Sequence, residues 1–326
     1  FYTDDTFEFE ANNPDKPGNS TILFLFYAPG AGPAHSQFKL SHLRFRGPQL
    51  TQANQFPPGN ASYGLVVFFG KAWNERLTHI TVQYCTFTDP VRYAIDFEHV
   101  SQVTVSTCSF QMYDRYAYND LFPDTILPSI IVALFSAQHG IVNATVSGCV
   151  FNGRVKALSG YNPAVQYNTR WGADGFVFFQ KGGGINLTSN TLRNYYLEGI
   201  QTNAGPSYVT YNTFETPFST GVAYMAYADT NNIMPGATPY ILQRLYHFKN
   251  NTVNGGSVGV KFAGNSYPAA SSPTLAPQLT CLVQDNTSIR LNAVTFEPFT
   301  LGVFASSAES LTVKNNVFHQ CGMMLK

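Results

Sequence analysis

Charge is scarce in this sequence. Asp, Glu, Lys and Arg make up 12% of it and the two signs balance at 19 each, about half the charged share of an ordinary soluble domain. A neutral chain sets up no general field to draw a nucleic acid or an anionic membrane, so neither is expected as a partner. Long apolar runs are also missing. The longest, Ile126–Ala137, is interrupted by Pro128 and falls short of the roughly 20 residues of a membrane span. Helical periodicity is essentially absent, which leaves few helices to expect. Cysteines number five, Cys85, Cys108, Cys149, Cys281 and Cys321. An odd count without paired spacing argues against a disulfide framework and against a zinc site, so no metal ligand set and no required cofactor are read here. The first residue is Phe1, with no Met and no leader, which reads as a mature or trimmed product.

Aromatic and turn-forming residues are plentiful, with 27 Phe, 19 Tyr and 26 Gly. That mixture suits strands and tight turns. One frame organises it. Val103–Phe110 (VTVSTCSF) reads apolar, any, apolar, any, any, Cys, any, Phe, and the frame recurs from Phe38, Ile80, Ala144, Ile185, Ser207, Tyr246, Cys281 and Leu311. Its sixth place holds Leu43, then Cys85, Cys108 and Cys149, then Asn190, Asn212, Asn251, Asn286 and Asn316. Copies start 22 to 42 residues apart, a period that marks a repeat architecture. A strand-like run precedes nearly every copy, as in Leu65–Phe69, Tyr93–Phe97, Gly199–Thr202 and Val258–Phe262.

Alternation puts Val103 and Val105 on one side and Thr104 and Ser106 on the other. One such coil cannot bury its apolar side, but coils stacked at about 4.8 Å pair strand on strand around one continuous core. The expected fold is all-β: a single-stranded, right-handed parallel β-helix of about nine to ten coils and three parallel sheets. A ladder of Cys and Asn should line one turn, where Asn tolerates left-handed backbone. The chain reads as one domain, residues 1–326. Residues 1–33 form a leading cap segment with an apolar strand at Thr21–Tyr27 and an alternating stretch at Phe7–Glu10, and residues 34–326 form the coils. Gly182–Gly184 reads as a tight turn. The cysteines of the frame read as a row of buried thiols. Six Asn-x-Ser/Thr triplets, at Asn19, Asn60, Asn143, Asn186, Asn250 and Asn286, bear on glycosylation only in a secretory route.

On these residues the chain resembles the pectate-lyase-like superfamily of right-handed parallel β-helices, which carries such an Asn ladder at its second turn. The resemblance spans Phe38–Phe318 and implies an extended saccharide lying in a groove over the outer face of the first-strand sheet. It implies an extracellular, cell-surface or virion-surface location. The Arg-x-Pro-x-x-Arg pattern of pectate lyases and the motif set of polygalacturonases are both absent, so no one family's catalytic residues carry over. With a groove there, Asp96, Gln201 and Lys261 form its floor, outward-facing in AIDF, GIQT and VKF. The long loops supply Tyr113, Asp114, Arg115, Asp120, Arg154, Arg170, Trp171 and Asp174, and short turns supply Glu98, His99, His139 and Lys181. Aromatic rings stack on sugar faces, and Arg and Lys bind uronate or sulfate groups. The candidates for catalysis are Asp96, Asp114, Asp174 and His99. Those for substrate binding are Tyr113, Arg115, Arg154, Arg170, Trp171, Lys181, Gln201 and Lys261. A hydrolase needs two carboxylates facing across a bond. A lyase needs a base beside a uronate, with Arg or a cation such as calcium neutralising the carboxylate.

Two readings follow. The first is an extracellular β-helix that binds, and by lyase or hydrolase chemistry cleaves, a polysaccharide or glycan. The alternative is a non-catalytic structural or adhesive part of a surface, spike or filament. The chain begins and ends in strand-like sequence, so its end strands would need covering by a partner or by a homo-oligomer such as a trimer.

Overall fold

In the computed structural model, residues 7–10, 24–27, 35–47, 64–72, 75–88, 90, 93–111, 133–137, 140–153, 175–179, 182–195, 198–202, 205–216, 221–228, 244–264, 279–290, 301–306, 310–319 and 322–325 are described. Among them every regular element is a strand, and no helix is long and apolar enough to cross a membrane. The strands form three sheets of ten, nine and ten, in which every pairing is parallel. Sheet 1 holds the first strand of each coil, from Phe24–Tyr27 through Tyr93–Glu98 and Glu198–Thr202 to Gly322–Leu325. Sheet 2 runs from His35–Ser41 through Val100–Ser106 to Ser310–Lys314, and sheet 3 from Phe7–Glu10 through Ser109–Gln111 to Phe318–His319. The chain passes from sheet 1 to 2 to 3 and back in every coil, as a right-handed parallel β-helix.

The repeated frame accounts for the core. Its first and third places point inward from sheet 2, and its eighth enters sheet 3, where Phe45, Phe87, Phe110 and Phe151 stack with centroids 4.9, 4.8 and 4.7 Å apart. A second stack, Phe26, Phe68, Phe97 and Phe135, runs up the inside of sheet 1 at 4.7, 5.3 and 5.1 Å. Identical rings recur at one coil height, so each pair gains contact beyond simple burial.

The sixth place sits at the corner between sheets 2 and 3. The residue before it is left-handed in nine coils: His42, Tyr84, Thr107, Gly148, Ser189, Tyr211, Asn250, Asp285 and Asn315. This bend turns the following side chain into the stack. Asn190, Asn212, Asn251, Asn286 and Asn316 are joined amide to amide at 3.0, 3.1, 3.4 and 2.6 Å. Each Nδ2 also donates to a carbonyl one coil back, as Asn212 does to Leu187 at 2.9 Å. Cysteine fills the same role more weakly. The Cys149 thiol donates to the Val105 carbonyl at 3.8 Å, while its sulfur accepts from the Cys108 amide at 3.5 Å.

Burial pushes the Cys281 thiol up to about 12, and the Cys149 and Cys85 contacts together with burial push Cys108 well above its ordinary value. The Cys108 hydrogen bonds draw the Cys85 and Cys149 thiols the other way, below their ordinary value, but all four residues are buried, and a thiolate reacts only where a reagent can reach it. In a Cys321→Ser background, which removes the one cysteine outside the described residues, native protein at neutral pH is expected to show no thiol titratable by a disulfide reagent, and denatured protein four. A rapidly reacting thiol in the native state would overturn this.

One sequence reading is corrected. Within the leading segment, Phe7–Glu10 pairs with Leu43–Arg46 and Phe24–Tyr27 with Gly64–Phe69, as the first strands of sheets 3 and 1. Gly182–Gly184 is the start of the strand Gly182–Thr188, not a tight turn. Gly184 belongs to a second left-handed column inside sheet 2, with Gln37, His79, Gln102 and Asn143. That column interrupts the regular strand conformation at the same register position in five successive strands.

Candidate functional site

The outer face of sheet 1 is set by alternation. Because Ile95 and Phe97 point into the core, Ala94, Asp96 and Glu98 point outward. Strand register then aligns one row up the stack, which runs from Asp96 through the backbone of Ser136 and Phe178 to Gln201, and on this row Leu25, Val67, Asp96, Gln201, Met225, Lys261 and Phe304 point outward. The row changes character along its length. Val67 and Asp96 are buried, whereas Gln201, Met225, Lys261 and Phe304 are half-buried. Lys261 holds its ammonium 5.9 Å from the centre of the Phe304 ring, a cation–π contact that steadies a long flexible side chain.

At the other end of this row, Tyr93–Glu98 is buried on both faces. Asp96 is 3% exposed and Glu98 6%. Residues i and i+2 of a strand lie about 6.6 Å apart on one face, so two carboxyl groups stand side by side in a poorly solvated place. Burial raises the Glu98 carboxyl above its ordinary range, and the charge of His99 offsets this only in part. The buried charge is a stability cost. It is absent below the unfolded Glu pKa of about 4.3, where both states hold the proton, and complete above the raised folded value. Glu98→Gln is therefore expected to raise the urea midpoint near pH 8 and to leave it unchanged near pH 3. A midpoint gain that is equal at both pH values would contradict this.

The turn after Glu98 is fixed by backbone. Gly70 N–H donates to the Glu98 carbonyl at 2.8 Å, His99 Nδ1–H donates to the Gly70 carbonyl at 2.9 Å, and Leu77 N–H donates to the His99 carbonyl at 3.3 Å. A Cβ on Gly70 would stand 2.5 Å from the His99 carbonyl oxygen, so only glycine allows this approach. Because a carbonyl only accepts, Nδ1 carries the proton and Nε2 is the basic nitrogen of the neutral ring. Beyond the turn, Arg76 Nε donates to Ser101 Oγ at 3.1 Å.

Of the residues singled out in the sequence, Asp96 and His99 are brought to the end of one strand, and Gln201 and Lys261 lie on the Asp96 row with Met225 between them. Asp96 faces outward, but its surroundings are enclosed where an open floor was expected. Leu65, Val67 and Ala94 on the same outer surface are buried as well. Tyr113, Asp114, Arg115, Asp120, Arg154, Arg170, Trp171, Asp174, His139 and Lys181 lie outside the described residues. Glu98, expected in a short turn, is the last residue of the strand and shares a face with Asp96. The signal was present in YAIDFE, where acids two apart in an apolar strand must share a face. Among the described residues no three His, Cys, Asp or Glu side chains converge as a metal site.

Comparison with known proteins returned no matching family model, no matching curated protein and no matching solved structure.

Proposed function

We propose that the outer face of sheet 1 binds an extended polysaccharide and that Asp96, Glu98 and His99 mark the place where it is cut by hydrolysis. The observation that carries this reading is the pair of buried carboxyl groups on one face of Tyr93–Glu98, one of them with a raised pKa. Burial that favours the protonated form of Glu98 suits that carboxyl to the acid role. In the proposed step Glu98 gives its proton to the glycosidic oxygen as the C–O bond breaks. Asp96 takes a proton from the water whose oxygen bonds to the anomeric carbon, the division of roles that a pair of carboxyl groups serves in glycoside hydrolysis. The half-buried row of Gln201, Met225, Lys261 and Phe304 supplies hydrogen bonds, an apolar surface and a cation along the saccharide. The resemblance to pectate-lyase-like β-helices supports the location of the groove, as an analogy of fold.

Incubating the protein with a broad polysaccharide panel and measuring new reducing ends tests this. Wild type is expected to release product from at least one member, with Glu98→Gln slower by about 10²–10⁴-fold. Release of unsaturated ends would assign the reaction to a lyase with His99 Nε2 as base. Absence of any product would leave the non-catalytic surface reading.

A further inference from the structure

Four of the six Asn-x-Ser/Thr triplets fall in the described residues, at Asn143, Asn186, Asn250 and Asn286, and the fold sorts them sharply. Asn286 is 1% exposed and is a rung of the ladder. Its Nδ2 donates to the Phe248 carbonyl and to Asn316 Oδ1, at 3.3 and 2.6 Å, while its Oδ1 accepts from the Asn251 amide at 2.8 Å. Both amide hydrogens are committed inside the stack. Asn250 is half-buried at the left-handed corner. Asn143 is exposed but left-handed, and its Oδ1 lies 2.5 Å from where a Cβ on Gly184 would stand, so its amide is held against the next coil. Asn186 differs from all three. It is exposed on the outer face of sheet 2, in ordinary strand backbone, aligned between Thr145 and Tyr208, and its triplet threonine, Thr188, also faces outward.

We propose that Asn186 is an N-glycan acceptor and that modification at Asn286 and the fold exclude one another. Transfer forms a bond between Asn186 Nδ2 and the anomeric carbon of a lipid-linked oligosaccharide. The bond from that carbon to the lipid diphosphate breaks, the diphosphate leaves with the electron pair, and one amide proton is lost to a base. On Asn186 the sugar projects from a polar face. On Asn286 it would replace an N–H that the ladder uses, in a site with no room for a ring. Transfer precedes folding, so chains modified at Asn286 lose the rung that joins Asn251 to Asn316 and cannot close the last coils.

The test is secretion of the full chain from a eukaryotic cell, with endoglycosidase release and peptide mapping of the soluble, folded product. Glycan is expected at Asn186, with the corresponding mobility shift lost in both Asn186→Gln and Thr188→Ala. Asn286 is expected to be unoccupied. Folded protein bearing a glycan at Asn286, or an unoccupied Asn186 in protein whose Asn186→Gln variant is secreted equally well, would overturn the proposal.

Discussion

Asn212→Ala is expected to destabilise the protein by roughly 4 kcal/mol or more, because it strands several buried groups at about 1–3 kcal/mol each. Asn212 Oδ1 accepts from the backbone and side-chain nitrogens of Asn190 at 2.9 and 3.0 Å. Its Nδ2 donates to the Leu187 carbonyl at 2.9 Å and to Asn251 Oδ1 at 3.1 Å. Alanine removes all four at a fully enclosed site. Equilibrium urea unfolding checks this, with Thr104→Ala as the control, since that residue is exposed on the outer face of sheet 2 in ordinary strand backbone. Comparable losses for the two variants would show that the rung contributes little.

Gly182→Ala is expected to prevent folding into the native stack. Its φ is +121°, and a Cβ would stand 1.7 Å from the Ile141 carbonyl oxygen and 2.7 Å from the carbonyl carbon. Both are backbone atoms of the paired strand Ile141–Ser147, so relief requires moving a whole coil. Gly148→Ala is the instructive comparison. That residue also has positive φ, +61°, but its nearest neighbour is a side-chain oxygen 3.9 Å away, and the equivalent place in other coils holds His, Tyr, Thr, Ser, Asn or Asp. Its cost should be the left-handed penalty alone, about 1–2 kcal/mol. Soluble yield and circular dichroism should separate the pair, and equal behaviour would contradict the steric account.

The scaffold was legible in the sequence because one physical demand recurs in every coil. A strand with one face in the core must alternate, and the corner that turns into the stack holds Cys or Asn at eight of its nine places, so Val103–Phe110 and its copies repeat visibly. The Gly182–Gly184 run misled for a local reason. A left-handed residue inside a strand is supplied here by Gln37, His79, Gln102, Asn143 and Gly184, a set with no common chemistry, so only its glycine member looks unusual and it looks like a turn.

The site was half legible. Alternation gives the side on which Asp96 lies, but not what stands over that side, so an outward acid in an enclosed place was read as an open floor. Gln201 and Lys261 fell on one row because register follows from the repeat, while the join between them through Met225 needed the pairing of strands. Cys108 shows the same limit in reverse. As a single residue it suggests redox or metal chemistry, and as one rung among nine it is a weak substitute for asparagine.

The most direct test of the saccharide site proposed for sheet 1 is a binding measurement in the Glu98→Gln background, where the proposal expects turnover to be slowed. The dissociation constant of the best saccharide from the panel is compared for Lys261→Ala and Gln201→Ala on sheet 1 and for Thr104→Ala and Thr145→Ala on the outer face of sheet 2. The two sheet 1 substitutions are predicted to weaken binding by about 5–30-fold, the loss of one or two polar contacts, with the sheet 2 pair unchanged. Unaltered affinity in both sheet 1 variants, or a loss confined to the sheet 2 pair, would contradict the account.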